Sequence, residues 1–170
     1  MKFHMIKAAV ATAAIAIVAM GATSANAASA TASARAKVLR AVTITNDAGT
    51  SLQFGTILPG VAGSTVTVDT SGARTLCGPG LVCTSTTDAA DFSITGTAGQ
   101  VVQVTVPATV SLASGVNTMS AALVSNSATG LITMSATNAG AVSVGGTLSV
   151  GANQAEGDYL GTFTVTANYQ

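Results

Sequence analysis

The sequence of 170 residues has a formal net charge of zero, with 48% hydrophobic and only 7% charged positions. Charge this sparse and balanced excludes a basic nucleic-acid surface. Abundant Val and Thr exclude disorder of the low-hydrophobicity kind and favour strands.

In chain order, Lys2, His4 and Lys7 precede an uninterrupted apolar run over residues 8–20, and Ser24-Ala25-Asn26-Ala27 then supplies small residues. This is the pattern of a secretory signal peptide, residues 1–27, cleaved after Ala27. The run is too short for a spanning helix of about 20 residues, and no comparable stretch follows, so no membrane span is expected in the mature chain. The only histidine, His4, leaves with the signal.

Residues 28–38 read A-S-A-T-A-S-A-R-A-K-V, with an apolar residue at every even position and Ser, Thr, Arg or Lys at every odd one. Period-two alternation of this kind marks an extended segment, which would span about 36 Å. Ala30, Ala32, Ala34, Ala36 and Val38 form its apolar edge. It reads as a donor strand for a neighbouring sheet, as a flexible tail, or as the first strand of the domain at residues 39–170.

Shorter alternating pieces follow: Val42 and Ile44, Leu52 and Phe54, Val66 and Val68, Phe92 and Ile94, then Val102, Val104 and Val106 stopped by Pro107. The second half adds Met119, Ala121 and Leu123, then Ile132 and Met134, Val142 and Val144, and Leu148 and Val150. Turn signals stand between them, among them Asn46-Asp47-Ala48-Gly49, Ser71-Gly72, Ser114-Gly115 and Gly145-Gly146. Many short strands at this spacing, with no long 3.6-residue period after Met20, predict an all-β antiparallel sandwich.

Cys77 and Cys83 are the only cysteines and flank Gly78-Pro79-Gly80. In an oxidising compartment they are expected to close a local disulfide across that turn, contributing about 2 kcal/mol by loop entropy. From Gly157 the chain alternates to its end, placing Tyr159, Gly161, Phe163, Val165, Ala167 and Tyr169 on one face. A last strand carrying these aromatics concentrates buried area on that face.

Catalytic equipment is missing from the exported part. Without a histidine or a free thiol, no Ser-His-Asp or Cys-His arrangement can be built, and no phosphate-cradling glycine motif occurs. The acidic pairs Asp88 with Asp91 and Glu156 with Asp158 read as solvated loop edges, at most a weak calcium site. No enzyme, metal centre or cofactor is expected.

Gly157 stands fourteenth from the end and Tyr169 is penultimate, with alternating apolar residues between. In this the chain resembles the pilin subunits of chaperone-usher fimbriae. The stretch Leu52-Gln53-Phe54-Gly55-Thr56-Ile57-Leu58-Pro59-Gly60 continues with Gly63-Ser64-Thr65-Val66-Thr67-Val68-Asp69 and Phe92-Ser93-Ile94-Thr95-Gly96. These segments are more specifically similar to the DUF4402 group of bacterial exported proteins. The pilin resemblance implies an incomplete immunoglobulin-like sandwich that a periplasmic chaperone completes with a lent strand. An outer-membrane usher then assembles the subunits into a surface fimbria by donor-strand exchange with identical or related subunits. By the same resemblance, basic residues of the chaperone would hold the carboxylate of Gln170. In that picture Ala30, Ala32, Ala34, Ala36 and Val38 enter a neighbour's groove, and Gly157, Tyr159, Phe163, Val165 and Tyr169 border it. The tight Cys77–Cys83 ring and the mostly alanine donor face depart from the pilin pattern. The rival expectation is a monomeric secreted binding module or adhesin domain with a complete sandwich.

Overall fold

A computed structural model describes residues 27–170; the expected signal segment lies outside them, save for Ala27. The chain divides into two units, the first ending at Ala36 and the second spanning residues 37–170. Residues 27–36 have no regular secondary structure and are exposed.

The second unit is all-β. Its strands are β1 (Thr43–Asn46), β2 (Thr56–Leu58), β3 (Ser64–Val68), β4 (Arg74–Cys77), β5 (Val82–Thr84) and β6 (Ala90–Thr95). There follow β7 (Val101–Thr105), β8 (Thr109–Ser114), β9 (Asn117–Ser125), β10 (Leu131–Thr133), β11 (Ala139–Val150) and β12 (Thr166–Tyr169). Every pairing is antiparallel. A seven-stranded sheet runs β1-β6-β11-β3-β4, with β9 also on β11 and β8 on β9. A three-stranded sheet, β10-β7-β12, and a two-stranded ribbon, β2-β5, complete the fold.

Strand β11 organises the whole. Its first half pairs β6 from Ala139 to Val144, and its second half pairs β3 and β9 up to Val150. The sequence predicts a turn at Gly145-Gly146, but the chain runs straight through. These glycines serve close approach instead: a Cβ on Gly145 would stand 2.5 Å from the Val68 carbonyl oxygen and 2.6 Å from the Asp69 carbonyl carbon. Without side chains there, the end of β3 can lie against β11 where it changes partners.

The alternating valines point as period two requires, one face in and one out. They form two core clusters. The first gathers Ala90, Ile94, Val102, Val104, Met134, Val142, Val144 and Val165, and the second Phe54, Val66, Val68, Val110, Ala121, Leu148 and Val150. Phe163 packs against both and meets Phe92 edge-on, ring centroids 6.3 Å apart. Among the described residues no polar or charged side chain is fully buried.

Two expected strands differ. Leu52 and Phe54 flank only an isolated bridge, Gln53 to Asp88, with β2 beginning at Thr56. The C-terminal segment alternates in burial as expected, yet its regular ladder covers only Thr166–Tyr169, opposite β7. Before that, one bridge joins Leu160 to Ala113.

Candidate functional site

The two core clusters are covered unequally. Over the first, β10-β7-β12 supplies an opposing layer through Val102 and Val104, with Val165 from the chain just before β12. Over the second lie only the β2–β5 ribbon and the segment before β12. Between them a groove of about 1090 Å³ remains.

The floor of the groove is apolar and comes from strands far apart in sequence: Leu112 from β8, Met119 from β9, and Leu148 and Val150 from β11. One wall is residues 51–59 with Ser85 and Thr86, the other residues 154–161. Leu58 and Leu160 stand on the two walls 64% and 77% exposed, an unfavourable position for large aliphatic side chains without a partner.

The second wall has unused hydrogen-bonding capacity. Leu160 and Ala113 exchange amide-to-carbonyl bonds of 2.8 and 3.0 Å, and among the described residues no other member of this wall, 154–161, makes a backbone–backbone hydrogen bond. Extended backbone with free N–H and C=O groups is a template for an added strand. Gly157 lies midway along this wall with φ of 151°, a backbone region that disfavours side chains, and a Cβ there would collide with the Ser114 hydroxyl. The Tyr159 hydroxyl donates to the Ala155 carbonyl at 2.8 Å and accepts from Gln154 Nε2 at 2.8 Å, bracing the loop before it.

The first wall is tied down at several points. Cys77 of β4 and Cys83 of β5 form a disulfide, as expected, and so fasten the ribbon to the edge of the large sheet. Arg74 donates to the carbonyls of Thr84 and Ser85 at 3.2 and 3.5 Å. Cys83 also lies opposite Ile57 in the ribbon, and both pack on the second core cluster.

The expected C-terminal site residues divide between two places. Gly157 and Tyr159 line the groove, Phe163 and Val165 turn into the core, and Tyr169 lies at the far end of β12. There the Tyr169 hydroxyl accepts from the Thr97 amide at 2.6 Å and donates to the Arg40 carbonyl at 2.8 Å. Ala30, Ala32, Ala34 and Ala36 are exposed, and Val38 is 91% exposed. The groove floor escapes sequence reading, because nothing in a local period says which strands will lie side by side. The one signal for the first wall is the Leu52-to-Gly60 stretch.

Glu156 and Asp158 are the only charged residues in the groove lining. Asp88 and Asp91 fall at and just before the start of β6, where the Asp91 carbonyl accepts from the Asp47 amide at 2.9 Å. Among the described residues no three His, Cys, Asp or Glu side chains converge.

No curated protein and no solved structure matches the chain. Residues 42–169 match the family model described as a domain of unknown function, DUF4402. That span covers β1 to β12, hence both core clusters and both groove walls. The chain belongs to the DUF4402 family.

Proposed function

We propose that the domain is a structural subunit of a bacterial surface fibre of the fimbrial kind, exported through the periplasm and completed by an extended segment from a neighbouring copy. The observation that carries this reading is the groove over the second core cluster, with its apolar floor and a wall, residues 154–161, whose backbone is paired to other backbone only at Leu160. A β-strand supplies what both lack: alternate side chains for the floor and main-chain partners for the wall.

Residues 28–38 suit the role. Their apolar edge of alanines ending in valine would face the apolar floor of Leu148 and Val150, while the edge of Ser, Thr, Arg and Lys stays wet. The donor in this proposal is a neighbouring copy. Head-to-tail exchange between copies is heterologous and builds an open filament. A periplasmic chaperone and an outer-membrane usher are the partners this mode of assembly calls for.

The test is deletion of residues 28–37 from the exported chain. The deleted chain is expected to accumulate folded outside the cytoplasm and to form no fibres by electron microscopy. Fibres of normal length would overturn the proposal, and a monomer that refolds cooperatively with its groove closed would favour a secreted binding module instead.

A further inference from the structure

Resting on that reading, we infer that Glu156 and Asp158 set the register of the captured strand by meeting Arg35 and Lys37 of the neighbouring copy. The two acids are the only charges in the groove lining. The two cations are the only charges within residues 28–38.

Arg35 and Lys37 have a spacing of two, the repeat that brings residues to one face of an extended strand, and Glu156 and Asp158 flank the bend at Gly157 on the wall. On the wall, Gly157 separates the acids and Tyr159 follows, its ring half-buried while both acids are exposed. On the donor, Ala36 separates the cations, and the even positions are its apolar edge. A strand laid beside this wall with its alanines on the floor therefore presents Arg35 and Lys37 on the outer face, where the acids already stand. Directly opposed side chains on one face of a strand pair lie about 5 Å apart, close enough for opposite charges to attract.

The alanine repeat makes such a device necessary. Ala30, Ala32, Ala34 and Ala36 are interchangeable on an apolar floor, so a slip of two residues keeps every side chain on its proper face and costs the floor little. The charges break that degeneracy, because the same slip unpairs one cation and one acid. Their energetic role is modest, as for any exposed ion pair; they choose between registers that packing leaves nearly equal, and they speed encounter.

The experiment uses the exported chain, residues 28–170, and a fluorescent peptide of residues 28–38, with binding read by anisotropy. At about 20 mM salt, Glu156→Lys with Asp158→Lys is expected to weaken capture about tenfold. A peptide carrying Arg35→Glu and Lys37→Glu is expected to restore the reversed protein to within about threefold, and about 0.5 M salt to shrink both differences to about twofold. Circular dichroism checks that the reversed protein is folded. Capture of the natural peptide by the wild-type chain with no loss on reversal, or no rescue by the reversed peptide, overturns the register assignment and leaves the groove reading intact. No capture of the natural peptide by the wild-type chain at any salt overturns both.

Discussion

The two halves of the core are built from the same residue types and share one strand, yet one is closed and the other open. Ile94 in the first half and Leu148 in the second are 0% and 2% exposed, so burial at the floor does not distinguish them. The opposing layer does. Above Ile94 stands a three-stranded sheet, whose last strand is pinned at Tyr169. Above Leu148 stand a ribbon of three-residue strands and a segment held by a single bridge. A two-stranded ribbon is at best marginally stable alone, which is why the open half relies on a disulfide and on Arg74. The difference teaches that coverage in a sandwich is decided by strand count in the second layer, and that one half can lie under a full sheet while the other lies under a ribbon and a loop segment.

Truncation at the two floors gives the largest expected effect. Ile94→Ala should cost about 2–5 kcal/mol, because its void is enclosed on both sides. Leu148→Ala should cost less, about 1.5–3 kcal/mol, since the lost volume merges with a groove that is already open and only the transfer contribution remains. Urea unfolding of both variants measures the gap. Equal losses would mean that the second half is as closed as the first.

The disulfide probes the open half alone. Replacing Cys77 and Cys83 together with Ala should lower stability by about 2 kcal/mol, the loop-entropy value for so short a ring. Amide exchange should quicken in β2 and β5 while β6 and the first half of β11 keep their protection. Uniform quickening across both halves would show that the ribbon and the closed core unfold as one unit.

Much of this contrast is legible in the sequence, and the remainder is not, for a physical reason. Period two assigns faces, so Val66 and Val68, Val102 and Val104, and the alternation from Tyr159 to Tyr169 are all readable. The Cys77–Cys83 pairing follows from spacing across a Gly-Pro-Gly turn. Partners in the ladder are another matter. Gly145-Gly146 carries the composition of a turn, yet the pair lies mid-strand, because close approach by Val68 and Asp69 needs the same missing side chains that a tight turn needs. Leu112, Met119 and Leu148 become one floor only through the β8–β9–β11 pairing, which no local pattern states. The C-terminal strand looks continuous for a related reason: its faces are set along its whole length, while its hydrogen-bond partners are present for only the last part.

Tyr169→Phe sharpens the closed side of the comparison. The hydroxyl joins three segments, accepting from Thr97 and donating to Arg40, and the Thr97 amide loses its partner when the oxygen is removed. A loss of about 1–2 kcal/mol is expected by urea unfolding. Proteolysis near Arg40 should also increase, because the entry of the chain into the closed half is freed. A variant as resistant as wild type would place the anchor elsewhere.

The smallest expected effect lies at the junction of the halves, in the turn from β3 to β4. Asp69 Oδ1 accepts from the Ser71 hydroxyl at 2.6 Å and from the Ser71 and Ala73 amides at 2.8 and 3.1 Å. The Ser71 hydroxyl, followed by these amides, holds the carboxyl below its ordinary value of 3.8. A depressed carboxyl contributes stability that is complete above the unfolded value and is lost as pH falls through the lower folded one. Asp69→Asn keeps an acceptor oxygen but removes the charge, so its unfolding midpoint should fall slightly at neutral pH. That deficit should shrink once acid falls below 3.8 and protonates the wild-type carboxyl. A deficit that widens in acid would mean that the hydrogen bonds favour the neutral group. Because the backbone of Asp69 lies against Gly145, any loosening of this turn acts where β11 passes from the closed half to the open one. The acid-dependent part of the effect should therefore appear as faster amide exchange at Val66–Val68 and from Gly146 to Val150, with β7 and β12 unchanged.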